Sequence, residues 1–333
     1  MRRPDQAIRK LTTTSLCLIV AVFLLCASGA RADDELSTIV APGARVEKIA
    51  HGFGYTEGPV WHPGGWLLFS DISADSIYKW TPGPTARRGR MGLPAALAGT
   101  LRVFRRPSGN SNGLALDTQG RLIACEHARR ISRSVANGPA ETLVDSFEGK
   151  RLNSPNDVVV KSDGSVYFTD PPYGIRDPRK RELSFSGVFR VAANGKLSVV
   201  EVDMAFPNGL AFSPDEAKLY VVESEANQIR VFDVRPDGTL SKSRLFAEVN
   251  LVGSHEGPDG IKVDDRGYVY CAGPDGVWIL APDGRLVGKI PMPEVPSNLA
   301  FGGDDGSTLY VTARTGLYRI ALKTTWHAKT PRL

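Results

Sequence analysis

The sequence predicts an all-β protein with the fold of a six-bladed β-propeller, and three observations lead to this prediction. One pattern occurs six times along the 333 residues, at intervals of 39 to 55 residues. Each copy contains two short apolar strands around a Gly/Asp turn, and the space before the next copy holds two more, as in a four-stranded blade. The 34 glycines and 23 prolines indicate many tight turns and few long helices. A string of β-sandwich modules would also be rich in turns, but would not repeat one signature six times.

The chain begins with a segment that has the layout of an export signal. Basic residues are followed by an apolar run from Leu16 to Cys26 and then by Ala30-Arg31-Ala32, an A-x-A cleavage site. We therefore expect residues 1–32 to be a signal peptide and the protein to be exported, to the periplasm or the medium. An uncleaved anchor is the alternative, but the apolar run is well short of the ~20 residues that cross a bilayer.

The charge of the chain argues against a nucleic-acid partner. The formal net charge is +5, from 41 Lys and Arg against 36 Asp and Glu. Residues 1–32 contain five of the basic residues and one of the acidic ones, which leaves 36 basic and 35 acidic residues in the predicted mature chain. A nearly balanced chain has no electrostatic footprint for nucleic acid. Because no apolar run after residue 35 approaches bilayer length, we also expect no stable membrane association once the signal is removed.

The remaining boundaries follow from the repeats. Residues 33–43 are predicted to be an N-terminal extension, residues 44–322 the propeller and residues 323–333 a C-terminal tail. Residues 44–50 are expected to pair with the last blade and close the ring. Residues 83–108, which contain six arginines, are expected to form a solvated connection between the first two blades. The two cysteines beyond the signal, Cys125 and Cys271, are expected to be free, buried thiols.

Each repeat begins with an acidic or amide residue. The six residues in this position are Glu57, Asn112, Asn156, Asn208, Asp259 and Asn298. The first strand of a blade lies along the central channel, and the hairpin brings the end of the second strand back to the same face. We therefore expect the six residues to meet at one mouth of the channel, together with the acidic residues that end the second strands, Asp71, Glu126, Asp170 and Glu223.

Two interpretations of this ring of oxygens are possible. Asn-Gly and Asp-Gly are ordinary turn dipeptides, so any one of these residues alone is explained by a turn. Six together on one channel mouth favour a ligand, because buried polar groups without partners are costly. A set of oxygen donors without Cys or His suits a hard divalent cation such as calcium or magnesium better than a structural zinc ion.

Four stretches of the chain closely resemble one protein family, that of gluconolactonase, senescence marker protein (regucalcin) and luciferin-regenerating enzyme. These are Thr56-Glu-Gly-Pro-Val-Trp61, Asn153-Ser-Pro-Asn-Asp-Val158, Phe206-Pro-Asn-Gly-Leu-Ala-Phe212 and Gly257-Pro-Asp-Gly-Ile-Lys-Val263. Cys125-Glu-His127 and Phe301-Gly-Gly-Asp-Asp305 look like the bacterial gluconolactonase branch. The resemblance covers about residues 45 to 322 and all six repeats.

The resemblance implies a six-bladed propeller with one catalytic divalent cation at the top of the channel. The family's ligands fall on Glu57, Asn156, Asn208 and Asp259, and calcium is the first expectation, with magnesium, manganese or zinc as alternatives. Such a cation polarises a lactone or ester carbonyl and stabilises the tetrahedral intermediate. Asp259 is the expected proton acceptor from the attacking water; a ligand without that duty is the alternative.

Five further residues are candidates for substrate binding. Asn112 heads the second repeat, and His127 follows Glu126 at the expected channel mouth, although a structural histidine is an equal alternative. Asp170, Tyr173 and Arg176 border the long loop 171–186, a possible lid. Animal members of the family have an arginine two residues before Asn156, where this chain has Ser154, so the resemblance leaves the substrate open.

The expected function is that of an exported, metal-dependent hydrolase that opens a sugar lactone, with gluconolactone as the first substrate to test. Hydrolysis of another ester or a phosphoester on the same metal is one alternative, because the fold alone does not decide the chemistry. A non-catalytic binding propeller that uses the cation for stability is another. The expected partner is a small molecule in each enzymatic case.

Overall fold

The computed structural model describes residues 34–83, 99–135 and 138–326, and these form six four-stranded antiparallel sheets and one two-stranded hairpin. The sheets are the blades of a β-propeller, which confirms the predicted fold class. The predicted signal peptide lies outside the described residues, as does the end of the C-terminal tail. In the described part of the chain, no helix has the length and apolar character needed to cross a membrane.

The first strand of each blade is the innermost one. The strands of blades I to III are β2 (Thr56–His62), β3 (Trp66–Asp71), β4 (Ser76–Pro82) and β5 (Gly99–Arg105); β6 (Ser111–Leu116), β7 (Leu122–Glu126), β8 (Arg130–Arg133) and β9 (Glu141–Val144); β12 (Val158–Val160), β13 (Val166–Asp170), β14 (Gly187–Val191) and β15 (Leu197–Glu201). The hairpin β10 (Ser146–Phe147) and β11 (Lys150–Arg151) links blades II and III.

Blades IV to VI complete the ring. Their strands are β16 (Pro207–Phe212), β17 (Lys218–Glu223), β18 (Gln228–Asp233) and β19 (Arg244–Glu248); β20 (Ile261–Val263), β21 (Val269–Gly273), β22 (Gly276–Leu280) and β23 (Leu286–Pro291); β24 (Pro296–Gly302), β25 (Thr308–Ala313), β26 (Gly316–Ala321) and β1 (Glu47–His51).

The ring is closed by the N-terminal strand, as predicted. Strand β1 pairs antiparallel with β26, and Glu47 lies opposite Arg319. An isolated bridge between Val40 and Leu322 extends this contact toward both ends of the propeller sequence. Blade VI therefore contains strands from both ends of the repeat region, so the ring opens only if these strands separate.

One expectation for blade I was wrong. Residues 83–108 were expected to form a loop, but Gly99–Arg105 is strand β5, the outermost strand of blade I, where Trp80 pairs with Leu101. Arg102 lies between Leu101 and Val103, and all three side chains are exposed because β5 is an edge strand. The strand therefore has no buried apolar face that the sequence pattern could reveal.

The blades pack through apolar side chains that alternate along the strands. Trp61 of blade I stacks on Tyr310 of blade VI with ring centroids 5.3 Å apart, and Trp80 is almost fully buried beside them. Cys125 and Cys271 are both free and buried, as expected. Burial of these layers drives the sheets together.

Glycines at the heads of the inner strands allow neighbouring blades to approach closely at the channel. Gly113 donates its N–H to the carbonyl of Asn156 (2.7 Å), and Gly209 donates to that of Asp259 (3.2 Å). A Cβ on Gly113 would lie 2.6 Å from the Asp157 Cα, and one on Gly209 would lie 2.4 Å from the Asp259 carbonyl oxygen. The residues after Asn112 and Asn208 must therefore be glycine, and this sets neighbouring heads side by side.

Candidate metal centre

The six residues that head the inner strands lie around one end of the channel, as the repeat predicts. Five of the side chains are at least 94% buried, and Asp259 is half-buried. Contacts between blades show that these residues converge: Asn298 Nδ2 of blade VI donates to Glu57 Oε2 of blade I, at 3.0 Å. Asn208 of blade IV hydrogen-bonds with the Asp259 carboxylate of blade V.

Glu57 uses one of its two carboxylate oxygens for the protein. Oε2 accepts hydrogen bonds from the Gly58 N–H (2.6 Å) and from Asn298 Nδ2. No described residue donates a hydrogen bond to Oε1. Burial raises the Glu57 pKa well above its usual value, and the neighbouring carboxylates of Asp259 and Asp157 raise it further. A cation at Oε1 would relieve both effects.

The two asparagines of the predicted ligand set differ in their surroundings. Asn156 is 4% exposed, its backbone pairs with Thr169 and Gly113, and its side chain has no hydrogen-bond partner among the described residues. Asn208 donates through Nδ2 to Ser224 Oγ at 3.1 Å, which leaves its carbonyl oxygen for another partner. Both side chains thus keep an amide oxygen available as a ligand.

Asp259 is held in a site of excess negative charge. Burial and the Asp157 carboxylate raise its pKa to about 7, against the smaller lowering effects of Asn208 and Arg314. Three carboxylates, those of Glu57, Asp157 and Asp259, therefore influence one another through a poorly hydrated region. A cation bound between these three carboxylates would stabilise their charged forms.

Sequence reasoning missed two residues inside the channel. Asp157 occupies the position that is glycine after four of the other heads, and its Oδ2 accepts from Asn298 Nδ2 at 3.3 Å. Lys262 Nζ lies 4.0 Å from the same Asp157 oxygen and donates to Asn298 Oδ1 at 3.2 Å. Asp157 could have been found from the sequence, because an acidic residue stands where four other repeats have glycine. Lys262 could not, because a three-residue strand does not reveal which way its side chain points.

Two of the predicted substrate-binding residues lie together at the mouth. Asn112 Nδ2 lies 3.3 Å from His127 Nε2, and the buried Asn112 Oδ1 has no partner among the described residues. Burial lowers the His127 pKa to about 4, so the imidazole is neutral at neutral pH. The pair therefore offers an uncharged set of hydrogen-bonding groups beside the ring.

The loop 171–186 crosses this mouth between β13 and β14. Tyr173 hydrogen-bonds with the side chains of Ser224 and Asn208 and packs against Phe206 with ring centroids 5.4 Å apart. The Gly174 N–H donates to Ser154 Oγ at 2.8 Å. Arg176 is exposed and makes no hydrogen bond or ion pair with another described residue. The loop thus brings Tyr173 to the predicted ligands and leaves Arg176 in solvent.

Asp170 and the other acidic residues that end second strands bind neighbouring protein groups. Asp170 is fully buried, and its Oδ2 accepts from the Asn153 N–H at 2.7 Å. Asp71 accepts from the backbone of Gly54 and Tyr55, and Glu126 binds Arg105. These carboxylates brace the loops between blades, and the buried Asp170 Oδ1 has no hydrogen-bond partner among the described residues, so substrate binding by Asp170 stays a prediction.

Two residues at the rim, Tyr55 and Arg314, were also missed. The Arg314 guanidinium lies 5.2 Å from the centre of the Tyr55 ring and forms an ion pair with Glu256. Asp259 and Glu57 both act electrostatically on the Tyr55 hydroxyl, which therefore lies close to the ring of ligands. Tyr55 precedes the first repeat motif and Arg314 lies in the last β-turn, so only the closed ring brings them together.

The donor set fits a hard cation. Within the described ranges, no three His, Cys, Asp or Glu side chains come close enough to hold a metal by themselves. A site at the predicted position therefore depends on the amide oxygens of Asn156 and Asn208 as well as on Glu57 and Asp259. Two carboxylates and two amides, all oxygen donors, suit calcium or magnesium.

Comparison with known proteins gives consistent matches. The family model "SMP-30/Gluconolactonase/LRE-like region" matches residues 55–315. The chain is 35% identical to a gluconolactonase from Zymomonas mobilis over 306 residues, 87% of this chain and 85% of that protein. It is 26% identical to a pentonolactonase from Haloferax volcanii, over 78% of this chain and 81% of that protein. A solved gluconolactonase from Xanthomonas campestris, 34% identical, matches with a TM-score of 0.76 over 86% of this chain and 92% of that chain.

Proposed function

This chain belongs to the SMP-30/gluconolactonase/LRE-like family and is a hydrolase that acts on carboxylic ester bonds, and we propose that its reaction is the opening of a sugar lactone at a divalent-metal centre. The observation that carries the proposal is the ring in which Glu57, Asn156, Asn208 and Asp259 present oxygen donors in a site of excess negative charge. Relatives named gluconolactonase and pentonolactonase support an aldonolactone as the substrate.

Four residues would hold the cation, with calcium as the first choice for an all-oxygen site. Glu57 Oε1 and one Asp259 oxygen supply the charge, and the amide oxygens of Asn156 and Asn208 supply neutral ligands. When bound, the cation would polarise the lactone carbonyl and offset the negative charge of the tetrahedral intermediate. The two carboxylates balance the charge of a divalent ion, and the two amides add no charge. Because calcium takes about six to eight oxygen ligands, four protein ligands leave positions for water or a substrate oxygen.

The remaining chemistry falls to side chains of the chain itself. Asp259 heads an inner strand and is half-buried, so one of its oxygens is suited to accept a proton from the attacking water. Asn112 and the neutral His127 are suited to bind sugar hydroxyls, and Tyr173 is suited to bind from the loop side. Tyr55 and Arg314 would limit the size and charge of the substrate at the rim.

The place of action is also a proposal. The basic start, apolar run and A-x-A site of residues 1–32 support export to the periplasm or the medium. Expression of the full chain, followed by N-terminal sequencing of the mature protein, tests this proposal. Recovery of mature protein that begins near Asp33 outside the cytoplasm supports it, and an intact N-terminus in the cytoplasm contradicts it.

Hydrolysis of a lactone panel tests the main proposal. The panel contains gluconolactone, pentonolactones, a simple ester and a phosphoester, each assayed after chelation and after adding calcium, magnesium, manganese or zinc. We expect lactone opening that is lost on chelation and restored by a cation. Activity that persists after thorough chelation contradicts the metal centre, and exclusive activity on the phosphoester contradicts the substrate class.

Asp259→Asn is the matched active-site variant, because it removes one charge and keeps the shape. We expect it to lose at least about a hundredfold in kcat, the lower range for one general base. Asp304→Asn is the control, since Asp304 is exposed in the turn between β24 and β25, away from the mouth. Full activity of Asp259→Asn would remove Asp259 from the mechanism.

A further inference from the structure

Lys262 is a partly buried cation that contacts Asn298 and Asp157, next to the residues of the proposed metal centre. Its Nζ donates to the Ile261 carbonyl at 2.9 Å and to Asn298 Oδ1 at 3.2 Å, and lies 4.0 Å from Asp157 Oδ2. The Lys262 side chain is 26% exposed and that of Asp157 only 2%. Three oxygens thus surround the ammonium, and a buried carboxylate has this ammonium as its near counter-charge.

Asn298 connects this ammonium to Glu57. Its Oδ1 accepts from the Leu299 N–H (2.8 Å) and from Lys262, and its Nδ2 donates to Glu57 Oε2 and Asp157 Oδ2. Turning the amide over would set Oδ1 against two carboxylates and Nδ2 against an ammonium and an N–H donor. Lys262 therefore helps to fix the amide in one orientation.

That orientation has a consequence for Glu57. Because Nδ2 donates to Oε2, and the Gly58 N–H donates to the same oxygen, the free oxygen is Oε1. A carboxylate fixed in this way binds a cation through one oxygen without first having to reorient, which lowers the cost of binding.

We propose that Lys262 is a built-in counter-cation and positioning residue of the metal centre: it neutralises Asp157 and, through Asn298, leaves Glu57 Oε1 for the metal. The first half concerns the protein without metal, and the second half rests on the proposed function. Without Lys262, the carboxylates of Glu57, Asp157 and Asp259 would repel one another without the ammonium that lies beside Asp157.

Four proteins test the first half: the unaltered chain, Lys262→Met, Asp157→Asn/Lys262→Met, and the control Lys196→Met, which removes an exposed lysine. Methionine keeps much of the apolar stem of lysine. Melting temperatures are measured in EDTA. We expect Lys262→Met to melt at least about 5 °C lower, the double variant to regain at least half of the loss, and the control to be unchanged.

The double variant separates charge pairing from packing. If Lys262 only fills space, the melting temperature falls by the same amount in the single and double variants, and this result overturns the proposal. A single variant that is as stable as the unaltered chain also overturns it. If Lys262→Met does not fold and the double variant does, the pairing is supported. If neither folds, the pairing is rejected, because removing both charges together should be tolerated.

Calcium titration by calorimetry tests the second half. The double variant keeps the net charge of the site but alters two of the four contacts that fix the Asn298 amide, those with Lys262 and Asp157, so we expect about tenfold weaker calcium binding than in the unaltered chain. Equal affinity overturns the positioning role. If the unaltered chain binds no calcium, magnesium or manganese, the proposed metal centre fails, whereas the melting experiment in EDTA still decides the charge pairing on its own.

Discussion

At the scale of single residues, the place of a side chain on the inner strand decides its chemistry. Asp259 and Asp170 both have a pKa raised to about 7 by burial. Asp259 heads an inner strand and meets other carboxylates across the channel, whereas Asp170 ends a second strand and accepts a backbone N–H. The same residue type is thus a candidate ligand in one place and a loop brace in the other.

The His127 side chain gives a prediction about roles at the mouth. Since burial lowers its pKa to about 4, it is neutral at pH 6–8 and acts there as a hydrogen-bonding group. We expect His127→Ala to raise KM for the lactone about five- to tenfold, the value of one neutral hydrogen bond, with kcat within about threefold. Steady-state kinetics from pH 6 to 8 measure both values.

The pH dependence supplies the check on His127. The unaltered enzyme and His127→Gln should have pH profiles of the same shape between pH 6 and 8, because neither side chain titrates there. A variant that loses kcat while keeping KM, or whose profile loses an inflection near neutral pH, would identify His127 as a proton shuttle instead.

At the scale of elements, the inner strands position the ligands through close backbone contacts. A Cβ on Gly113 would lie 2.6 Å from the Asp157 Cα and 2.7 Å from the Asn156 carbonyl oxygen, and neither backbone atom can move independently of blade III. We expect Gly113→Ala to lower the free energy of unfolding by about 1–3 kcal/mol, as overpacking does, and to weaken calcium binding. Chemical denaturation and calorimetry measure the two effects.

Gly195→Ala is the control for this glycine. Gly195 lies in the turn between β14 and β15 at φ 84°, where an added Cβ meets no atom within 4 Å. It should cost about 1 kcal/mol through backbone strain alone and leave calcium binding unchanged. Equal effects of both substitutions on calcium binding would show that the close approach does not position the ligands.

Ring closure gives a prediction at the same scale. Glu294 binds Lys48 of β1 (2.7 Å) and the Thr315 N–H of blade VI (2.8 Å). Burial alone would raise its pKa, but Lys48, Tyr318 and Thr315 outweigh this and lower it to about 2. A carboxylate with a lowered pKa stabilises the fold above its unfolded value of 4.5, and that stability is lost as pH falls toward 2.

Glu294→Gln should therefore cost about 2 kcal/mol at pH 7, somewhat less than the pKa shift implies because the side chain is 20% exposed. The difference between the variant and the unaltered chain should shrink steadily from pH 4.5 to pH 2. Urea unfolding at pH 7, 4 and 3 measures it. A difference that stays constant over this range would contradict the closing role of the charge.

At the scale of the whole molecule, the repeat alone predicts the propeller, the closing strand and the common mouth of the six heads. The family resemblance, confirmed by the match over residues 55–315, adds the ligand set as a hypothesis. Sequence reasoning could not find Lys262 or the pair of Tyr55 and Arg314. Their roles depend on which way a side chain leaves its strand and on contacts between blades at opposite ends of the chain.

The central claim is that Glu57, Asn156, Asn208 and Asp259 together bind a single divalent cation. A crystal structure of the protein grown with calcium and then with manganese, located by anomalous scattering, tests it most directly. We predict one ion per chain, with oxygens of all four side chains about 2.3–2.6 Å from calcium. An ion held elsewhere, or an empty channel mouth at millimolar calcium in protein that hydrolyses lactones, would contradict the claim.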